Sequence, residues 1–323
     1  MTRRILSIDG GGVRGIIPAV ALAALEQQVG GRVRDHFDFL AGTSTGALIS
    51  GAAATGLPAE RLVHLYVERA PQLFRKVPIF STLRRIVAGH MYDVADLHRL
   101  IREELGSQAA DLPLNDLPRD VLITAKGLWD SRPWYFVRDH PGRNSAHTGS
   151  FGLADCLTAS AAAPTFFAPW RMKGIDGELV DGGTGVAGNP VYQACVEAFI
   201  YTDGYSEPDT IIVSMGTGQY LGRSRPRWIY SWLHWLLAEL LRSPGEQQTA
   251  LVDRHYPRAT FYRIDVKLDR DLSLDDAGKM AALRDIGERL AARIDWQAVL
   301  AGTDTQWLVT RHRRRPADYA EAV

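Results

Sequence analysis

Apolar and polar positions along the chain alternate between short apolar runs and longer runs of small and apolar residues. The runs at 4–9 and 37–41 are short, rich in Ile, Leu and Phe, and followed by glycine-containing segments, which predicts buried strands. Residues 16–29 follow the first strand and predict a helix, in which Pro18 is tolerated in the first turn. An Ala- and Leu-rich stretch that reaches Thr55 predicts a second helix after the second strand. Strand and helix therefore alternate from the start of the chain.

The same alternation continues through most of the sequence. Further predicted helices span residues 58–70, 93–105, 153–163, 190–200, 228–242 and 275–294. Further predicted strands span residues 120–124, 134–138, 210–214 and 260–265, and a hairpin is predicted over residues 172–181. Alternating strands and helices favour an α/β fold, in which a largely parallel central sheet is covered by helices on both faces.

The chain of 323 residues shows no internal repeat and no linker that would divide it, and 46% of its residues are apolar. We therefore expect a single domain over residues 1–309. Its recognisable motifs fall within residues 4–218, and residues 219–309 form a C-terminal helical part. The polar, basic tail at 310–323 is expected to be flexible.

Charge and cysteine content narrow the class of protein. The 37 basic residues balance 37 acidic ones, which argues against a dedicated nucleic-acid binder. Cys156 and Cys195 both lie in apolar or helical surroundings, so no disulfide framework is expected. The N-terminal apolar run is too short for a signal peptide, and no run approaches the roughly 20 apolar residues of a membrane span. We expect a cytoplasmic protein whose membrane contact, where it occurs, is peripheral.

The first chemical motif is Gly42-x-Ser44-x-Gly46, which stands between a predicted strand and a predicted helix. This is the context of a nucleophile elbow, in which a sharp turn exposes a serine hydroxyl. Glycines two residues either side of the serine suit a turn that is too tight for Cβ atoms. The N-terminus of the following helix would favour negative charge near the hydroxyl.

The glycine cluster from Gly10 to Gly15 admits two interpretations. As G-x-G-x-x-G between a strand and a helix it matches a dinucleotide-binding fingerprint, with Asp35 at about the expected distance. Residues 30–34 do not form the apolar strand that this interpretation requires before Asp35. Alternatively, consecutive glycines turn backbone N–H groups towards one anion, such as the oxyanion of acyl transfer. Arg14 could then hold the loop by hydrogen bonding.

A nucleophilic serine also needs a base. The order Ser44, Asp181, His255 fits the triad of an α/β-hydrolase. However, His255 lies in the polar sequence Asp-Arg-His-Tyr-Pro, which favours an exposed position. The other histidines lie on charged faces or in loops, where a structural or solvated role is expected.

Five segments of the chain occur in the order Asp9-Gly10-Gly11-Gly12-Val13-Arg14-Gly15, Gly42-Thr43-Ser44-Thr45-Gly46, Ala159-Ser160-Ala161-Ala162-Ala163-Pro164-Thr165-Phe166-Phe167, Asp181-Gly182-Gly183 and Ser214-Met215-Gly216-Thr217-Gly218. Taken together and in this order, they resemble the motifs of the patatin-like phospholipases, and the chain is similar to the compact bacterial, single-domain members of that family. The resemblance implies a three-layer α/β/α fold and hydrolysis of phospholipids or other acyl esters by a Ser–Asp dyad without histidine.

By the same resemblance Ser44 is the nucleophile and Asp181 the base. The backbone N–H groups of Gly10, Gly11 and Gly12 would form the oxyanion hole, supported by Arg14 and Gly15. Gly182 and Gly183 complete the aspartate motif, and no cofactor or metal is expected. One departure is Gly188-Asn189-Pro190, where the family usually has two asparagines before the proline. A binding protein with a relic site is a further alternative, against which the intact motifs count.

Two expectations concern partners of the enzyme. Compact bacterial relatives include enzymes that cyclic nucleotides switch on, but no motif in this sequence identifies an activator site. The predicted helix over residues 228–241 contains three of the eight tryptophans and follows an arginine-rich stretch. An apolar, tryptophan-rich helix of this length is normally buried, or it can lie in a membrane surface. We expect it to contact the membrane or to line the acyl-chain entrance.

Overall fold

The fold was analysed in a computed structural model, which describes residues 2–73, 90–140, 147–185, 187–220, 228, 232, 245–269 and 277–309. The strands are β1 (Arg3–Ile8), β2 (Phe39–Thr43), β3 (His90–Tyr92), β4 (Asp120–Gly127), β5 (Pro133–Val137), β6 (Thr165–Phe167), β7 (Leu179–Asp181), β8 (Thr210–Met215), β9 (Gln219–Tyr220), β10 (Thr260–Ile264) and β11 (Lys267–Leu268). The α-helices are α1 (Ile16–Val29), α2 (Val33–His36), α3 (Thr45–Thr55), α4 (Ala59–His64), α5 (Ala70–Leu73), α6 (Val94–Leu105), α7 (Ser107–Ala110), α8 (Leu153–Ala161), α9 (Val191–Val196), α10 (245–255), α11 (Met280–Ala291) and α12 (Trp296–Ala301).

A mostly parallel sheet forms the centre of the molecule. Its strands follow the order β10-β8-β1-β2-β4-β5, and β7 also pairs with β4. The pairs from β10 to β4 are parallel, whereas β5 and β7 run antiparallel to β4. In the register, Ile8 of β1 lies beside Gly42 of β2 and Met215 of β8. The carboxyl ends of these strands therefore meet at one edge of the sheet.

Successive side chains of β1 and β2 point to opposite faces of the sheet and pack in two separate apolar cores. Leu6 and Leu40 belong to the larger core, which α1, α3, α8 and α11 cover. Ile5 and Phe39 face the opposite way and pack in a smaller core with residues of α9 and α10. A strand buried on both faces reads as a continuous apolar run, as these two do. The expected three-layer α/β/α fold is confirmed.

Local signals located several elements well. The predicted helix over residues 16–29 has the same bounds as α1. The helix predicted over residues 93–105 begins with Asp93 as its N-cap, whose side chain accepts a hydrogen bond from the backbone N–H of Ala95. Such a cap satisfies one of the N–H groups that have no partner within the helix.

Two regions differ from the predictions. The hairpin expected over residues 172–181 is absent as such: β7 pairs antiparallel with β4, and only Trp170 bridges back to Leu179. Long-range pairing with β4 thus replaces the local partner. Helix α10 was not predicted at all. The predicted helix over 228–242 and the tail from 310 lie outside the described residues, apart from Trp228 and Trp232.

None of the helices that the structure describes combines the length and the apolar character needed to cross a bilayer.

Candidate active site

The chemically interesting residues converge at the carboxyl edge of the parallel strands. Asp9 follows β1, Ser44 follows β2 and Thr217 lies just after β8. Asp181 ends β7, and its register partner in β4 is Ala125. Ligands of open α/β sheets bind at this edge.

Ser44 stands in a sharp turn between β2 and α3. Its φ is 56° and its ψ is −122°, a conformation that non-glycine residues rarely adopt. A Cβ on Gly42 would overlap the backbone of Gly46, and one on Gly46 would overlap the carbonyl group of Ile8. The absence of side chains at these two glycines lets α3 pass close to β1 and β2. The turn thus has the backbone features of a nucleophile elbow.

The backbone of Ser44 is also held from α8. The Ser44 N–H donates to the Oγ of Ser160 at 2.9 Å, and Ser160 is completely buried. This donor is therefore already engaged. Sequence analysis did not single out this role for Ser160, although the segment 159–167 contained the signal.

Asp181 is the buried carboxylate next to the serine. Its side chain accepts a hydrogen bond from the backbone N–H of Gly183 at 2.7 Å, and the nearby Ser44 hydroxyl favours its charged form. Its own backbone N–H donates to Ala162 O at 3.0 Å, which ties β7 to the end of α8. Burial raises the pKa of Asp181 to about 6, although the Ser44 hydroxyl and the Gly183 N–H both lower it. At neutral pH it is therefore ionised, with the Ser44 hydroxyl beside it.

Two threonines support this pair from the neighbouring strands. The hydroxyl groups of Thr43 and Thr124 hydrogen bond to each other at 2.7 Å across β2 and β4. Gly182 packs so closely on Thr124 that an added Cβ would lie 2.8 Å from its backbone carbon. The small residue after Asp181 is therefore needed for the aspartate to approach β4.

The glycine loop provides two backbone donors instead of the expected three. The N–H of Gly10 donates to Gly188 O at 2.9 Å, so it is not available to an oxyanion. Among the described residues, the N–H groups of Gly11 and Gly12 have no hydrogen-bond acceptor. Gly12 has a φ of 56°, which favours glycine. Gly188, at the position where the sequence departs from the family pattern, thus fixes the start of the loop.

Arg14 and Gly15 support the loop from its far end. Arg14 Nε and Nη1 lie 3.4 Å from Gly11 O and Gly218 O, respectively. A Cβ on Gly15 would overlap the hydroxyl groups of Thr45 and Tyr66. Close packing at Gly15 therefore brings the loop against the start of α3.

The residues that the α/β-hydrolase triad and the dinucleotide-binding fingerprint require, His255 and Asp35, do not lie where these interpretations need them. His255 is exposed at the end of α10, where its Nδ1 hydrogen bonds to the Tyr192 hydroxyl at 2.9 Å. Asp35 lies in the short helix α2 and accepts a hydrogen bond from Arg32 N at 2.7 Å, instead of ending a strand. The triad with His255 and the dinucleotide fingerprint with Asp35 are therefore both wrong for this fold.

Fold and site together define an α/β protein with a serine at a strand–helix turn and a buried aspartate beside it. The family model described as patatin-like phospholipase matches residues 6–195. The chain belongs to the patatin-like phospholipase family, as its motifs implied.

Named relatives agree with this assignment. A cGAMP-activated phospholipase of Escherichia coli (strain TW11681) is 31% identical over 224 residues, covering 66% of this chain and 62% of the relative. Patatin-like protein 2 of Oryza sativa subsp. indica is 32% identical over 276 residues, covering 71% and 65%. The chain thus spans a little under two thirds of these relatives. The crystal structure of VipD from Legionella pneumophila aligns with a TM-score of 0.42 at 12% identity, covering 90% of this chain and 67% of VipD.

Proposed function

We propose that the protein is a lipid acyl hydrolase of the phospholipase A or lysophospholipase type, with Ser44 as nucleophile and Asp181 as base. The observation that carries the proposal is the Ser44 hydroxyl beside the buried carboxylate of Asp181, where it favours the charged form of that carboxylate. A hydroxyl is a weak nucleophile until a neighbouring base accepts its proton. The histidine of the alternative triad lies elsewhere, so the aspartate is the base within reach.

The reaction proceeds in two half-reactions. Asp181 accepts the Ser44 proton while Oγ attacks the ester carbonyl carbon, and the carbonyl oxygen becomes an oxyanion. The N–H groups of Gly11 and Gly12 stabilise that charge, which is the role of an oxyanion hole. The tetrahedral intermediate then expels the alcohol, which takes the proton from Asp181. Water, deprotonated by Asp181, next attacks the acyl-enzyme, and collapse of the second tetrahedral intermediate releases the fatty acid while Ser44 Oγ takes the proton back from Asp181.

The test is hydrolysis by wild type and Ser44→Ala, measured with a chromogenic medium-chain ester and with phospholipid vesicles analysed by lipidomics. We expect Ser44→Ala to retain less than about a hundredth of wild-type turnover. Ser50→Ala is the matched control, because Ser50 lies in α3, which begins directly after Ser44, and its buried hydroxyl donates to Ala41 O at 2.8 Å. Turnover retained by Ser44→Ala would point to another nucleophile.

Contact with the membrane through residues 228–241 is part of the same proposal. Its two described residues, Trp228 and Trp232, are 78% and 46% exposed. Exposed tryptophans at one site favour the interface between water and lipid. Changing both to Ser should lower activity on vesicles and leave hydrolysis of a soluble short-chain ester unchanged. An equal loss on both substrates, with a lower melting temperature, would contradict a lipid-facing role.

Regulation by a cyclic nucleotide extends the proposal. Its support is the similarity to a relative that is named a cGAMP-activated phospholipase. The test compares turnover of the purified protein with and without cyclic GMP–AMP. Stimulation that also requires Ser44 would support an activated enzyme, whereas full activity without the nucleotide would contradict it.

A further inference from the structure

A buried arginine, Arg263, forms an ion pair with Asp9, the residue immediately before the glycine loop. Arg263, in β10, donates from Nη2 to Asp9 Oδ2 at 2.6 Å and from Nη1 to Asp9 Oδ1 at 3.0 Å. Both side chains are almost inaccessible to solvent, at 14% and 12% exposure. A bidentate arginine–carboxylate pair fixes orientation as well as distance. Because Asp9 is bonded directly to Gly10, the direction of the loop depends on this pair.

Arg263 is itself held by two further groups. Its Nη1 donates to Ser214 Oγ at 2.7 Å, and its Nη2 lies 3.1 Å from Asp265 Oδ2. Asp265 Oδ1 accepts the backbone N–H of Gly218 at 3.0 Å. The side chain of Arg263 is therefore held in one position between the ends of β1, β8 and β10.

A second, uncharged contact holds the loop one residue further along. Thr217 is buried, and its hydroxyl donates to Gly10 O at 2.8 Å. A Cβ on Gly11 would overlap the side chain of Thr217. Thr217 therefore both bonds to the loop and packs against it, next to the N–H groups of Gly11 and Gly12.

We infer that Arg263 and Thr217 are positioning residues that aim the Gly11 and Gly12 N–H groups at the developing oxyanion. The inference rests on the proposed acyl-hydrolase function. Neither residue touches the reacting atoms, and both lie beyond residues 6–195, which the family model matches. The C-terminal part of the chain thus contributes to the oxyanion hole through Asp9 and Gly10.

The consequence is specific to the transition state. A displaced donor weakens stabilisation of an oxyanion but does little to binding of the uncharged ester. Turnover should therefore fall while KM stays near the wild-type value. A buried pair that served stability alone would leave kcat of the folded enzyme unchanged.

Two variants test the inference with a soluble ester. Thr217→Val keeps the side-chain shape and removes the donor to Gly10. Arg263→Lys keeps the charge and removes the bidentate geometry. The matched controls are Thr210→Val and Arg3→Lys, at the opposite edge of the sheet. In the wild-type protein the Thr210 hydroxyl donates to Ser206 O at 2.7 Å, and Arg3 Nη1 lies 2.8 Å from Asp38 Oδ1.

The quantities to be measured for each variant are kcat, KM, inhibition by a trifluoromethyl ketone and binding of a non-cleavable ether analogue of the ester. Ser44 adds to the ketone carbon and leaves an oxyanion in the hole, whereas the ether analogue carries no such charge. We expect kcat to fall about 10-fold in Thr217→Val and about 100-fold in Arg263→Lys. Inhibition by the ketone should weaken by the same factors, with binding of the ether analogue unchanged and both controls like wild type.

Wild-type kcat and ketone affinity in Thr217→Val would overturn the inference, and Thr217→Val decides it if Arg263→Lys does not fold. Equal weakening of the ketone and the ether analogue would also overturn it, since that pattern means a general distortion. Ser44→Ala is measured in parallel. If Ser44→Ala keeps turnover, the proposed function and this inference fail together. If Ser44→Ala is inactive while the two variants match wild type, only this inference fails.

Discussion

Two buried aspartates at the same edge of the sheet, Asp9 and Asp181, differ in what holds their carboxylates. Burial raises the pKa of each to about 6. Asp9 forms two hydrogen bonds with the cationic side chain of Arg263. Asp181 instead faces the Ser44 hydroxyl and the Gly183 N–H.

A raised pKa alone therefore does not identify a catalytic base. Protonation of Asp9 would leave the buried Arg263 without its close bidentate partner, which is costly in a dry interior. Asp181 faces a hydroxyl whose proton it can accept while the oxygen becomes a nucleophile. The neighbour of each carboxylate, more than its pKa, therefore distinguishes Asp9 as a loop anchor from Asp181 as the proposed base.

The largest expected effect comes from changing each aspartate to asparagine in turn. Asp181→Asn keeps the shape and removes the proton acceptor, so kcat/KM should fall roughly 10⁴-fold. Asp9→Asn should cost only about 10- to 100-fold, because it disturbs the donors and leaves the dyad intact. The measurement is kcat/KM on a soluble ester.

The double variant Ser44→Ala/Asp181→Asn is the control for this comparison. Residues that act as one unit are not additive, so the double variant should be no worse than Ser44→Ala. An Asp9→Asn variant as inactive as Asp181→Asn would break the distinction between anchor and base.

An intermediate effect is expected at the loop that Asp9 anchors. Gly12→Ala forces a Cβ onto a residue with a φ of 56° and should lower kcat about 100-fold with little change in KM. Gly106→Ala is the matched control, since Gly106 has a φ of 76° and open space around it. Both variants place a Cβ on a residue with a positive φ, so an equal loss of activity would remove the loop from the mechanism.

The smallest effect concerns stability and pH. Because the pKa of Asp181 is raised from 3.8 to about 6, the native state binds this proton more tightly than the unfolded chain. The contribution of Asp181 to stability is therefore highest below pH 4 and is lost as the pH rises to about 6. Asp181→Asn removes this loss, so at pH 8 its melting temperature should exceed that of wild type, and its unfolding free energy should be higher by about 3 kcal/mol.

The gain should be much smaller at pH 4, where Asp181 is protonated in the native state and partly protonated in the unfolded chain. Asp9 keeps its own contribution in both proteins, so the difference isolates Asp181. Thermal denaturation at pH 4 and pH 8 is the measurement. A variant that is less stable than wild type at pH 8 would mean that the charged carboxylate stabilises the fold.

Local sequence signals located the elbow but not the anchors of the glycine loop. Ser44 was predictable because its strand, turn and helix are consecutive in the chain. Arg263 and Thr217 lie 254 and 207 positions from their partners in the loop. Arg263 is one of 37 basic residues, and nothing in its local pattern distinguishes it. Gly10 could not be excluded as a donor either, because its acceptor, Gly188, comes from a distant loop.

The measurement that tests the central claim most directly is the rate at which a fluorophosphonate labels Ser44, followed by intact-protein mass spectrometry. Labelling reports only activation of the nucleophile and attack, without product release. Wild type and His255→Ala should label at the same rate, and Asp181→Asn should label at least about 10³-fold more slowly. Wild-type labelling in Asp181→Asn, or slow labelling in His255→Ala, would contradict a Ser44–Asp181 dyad.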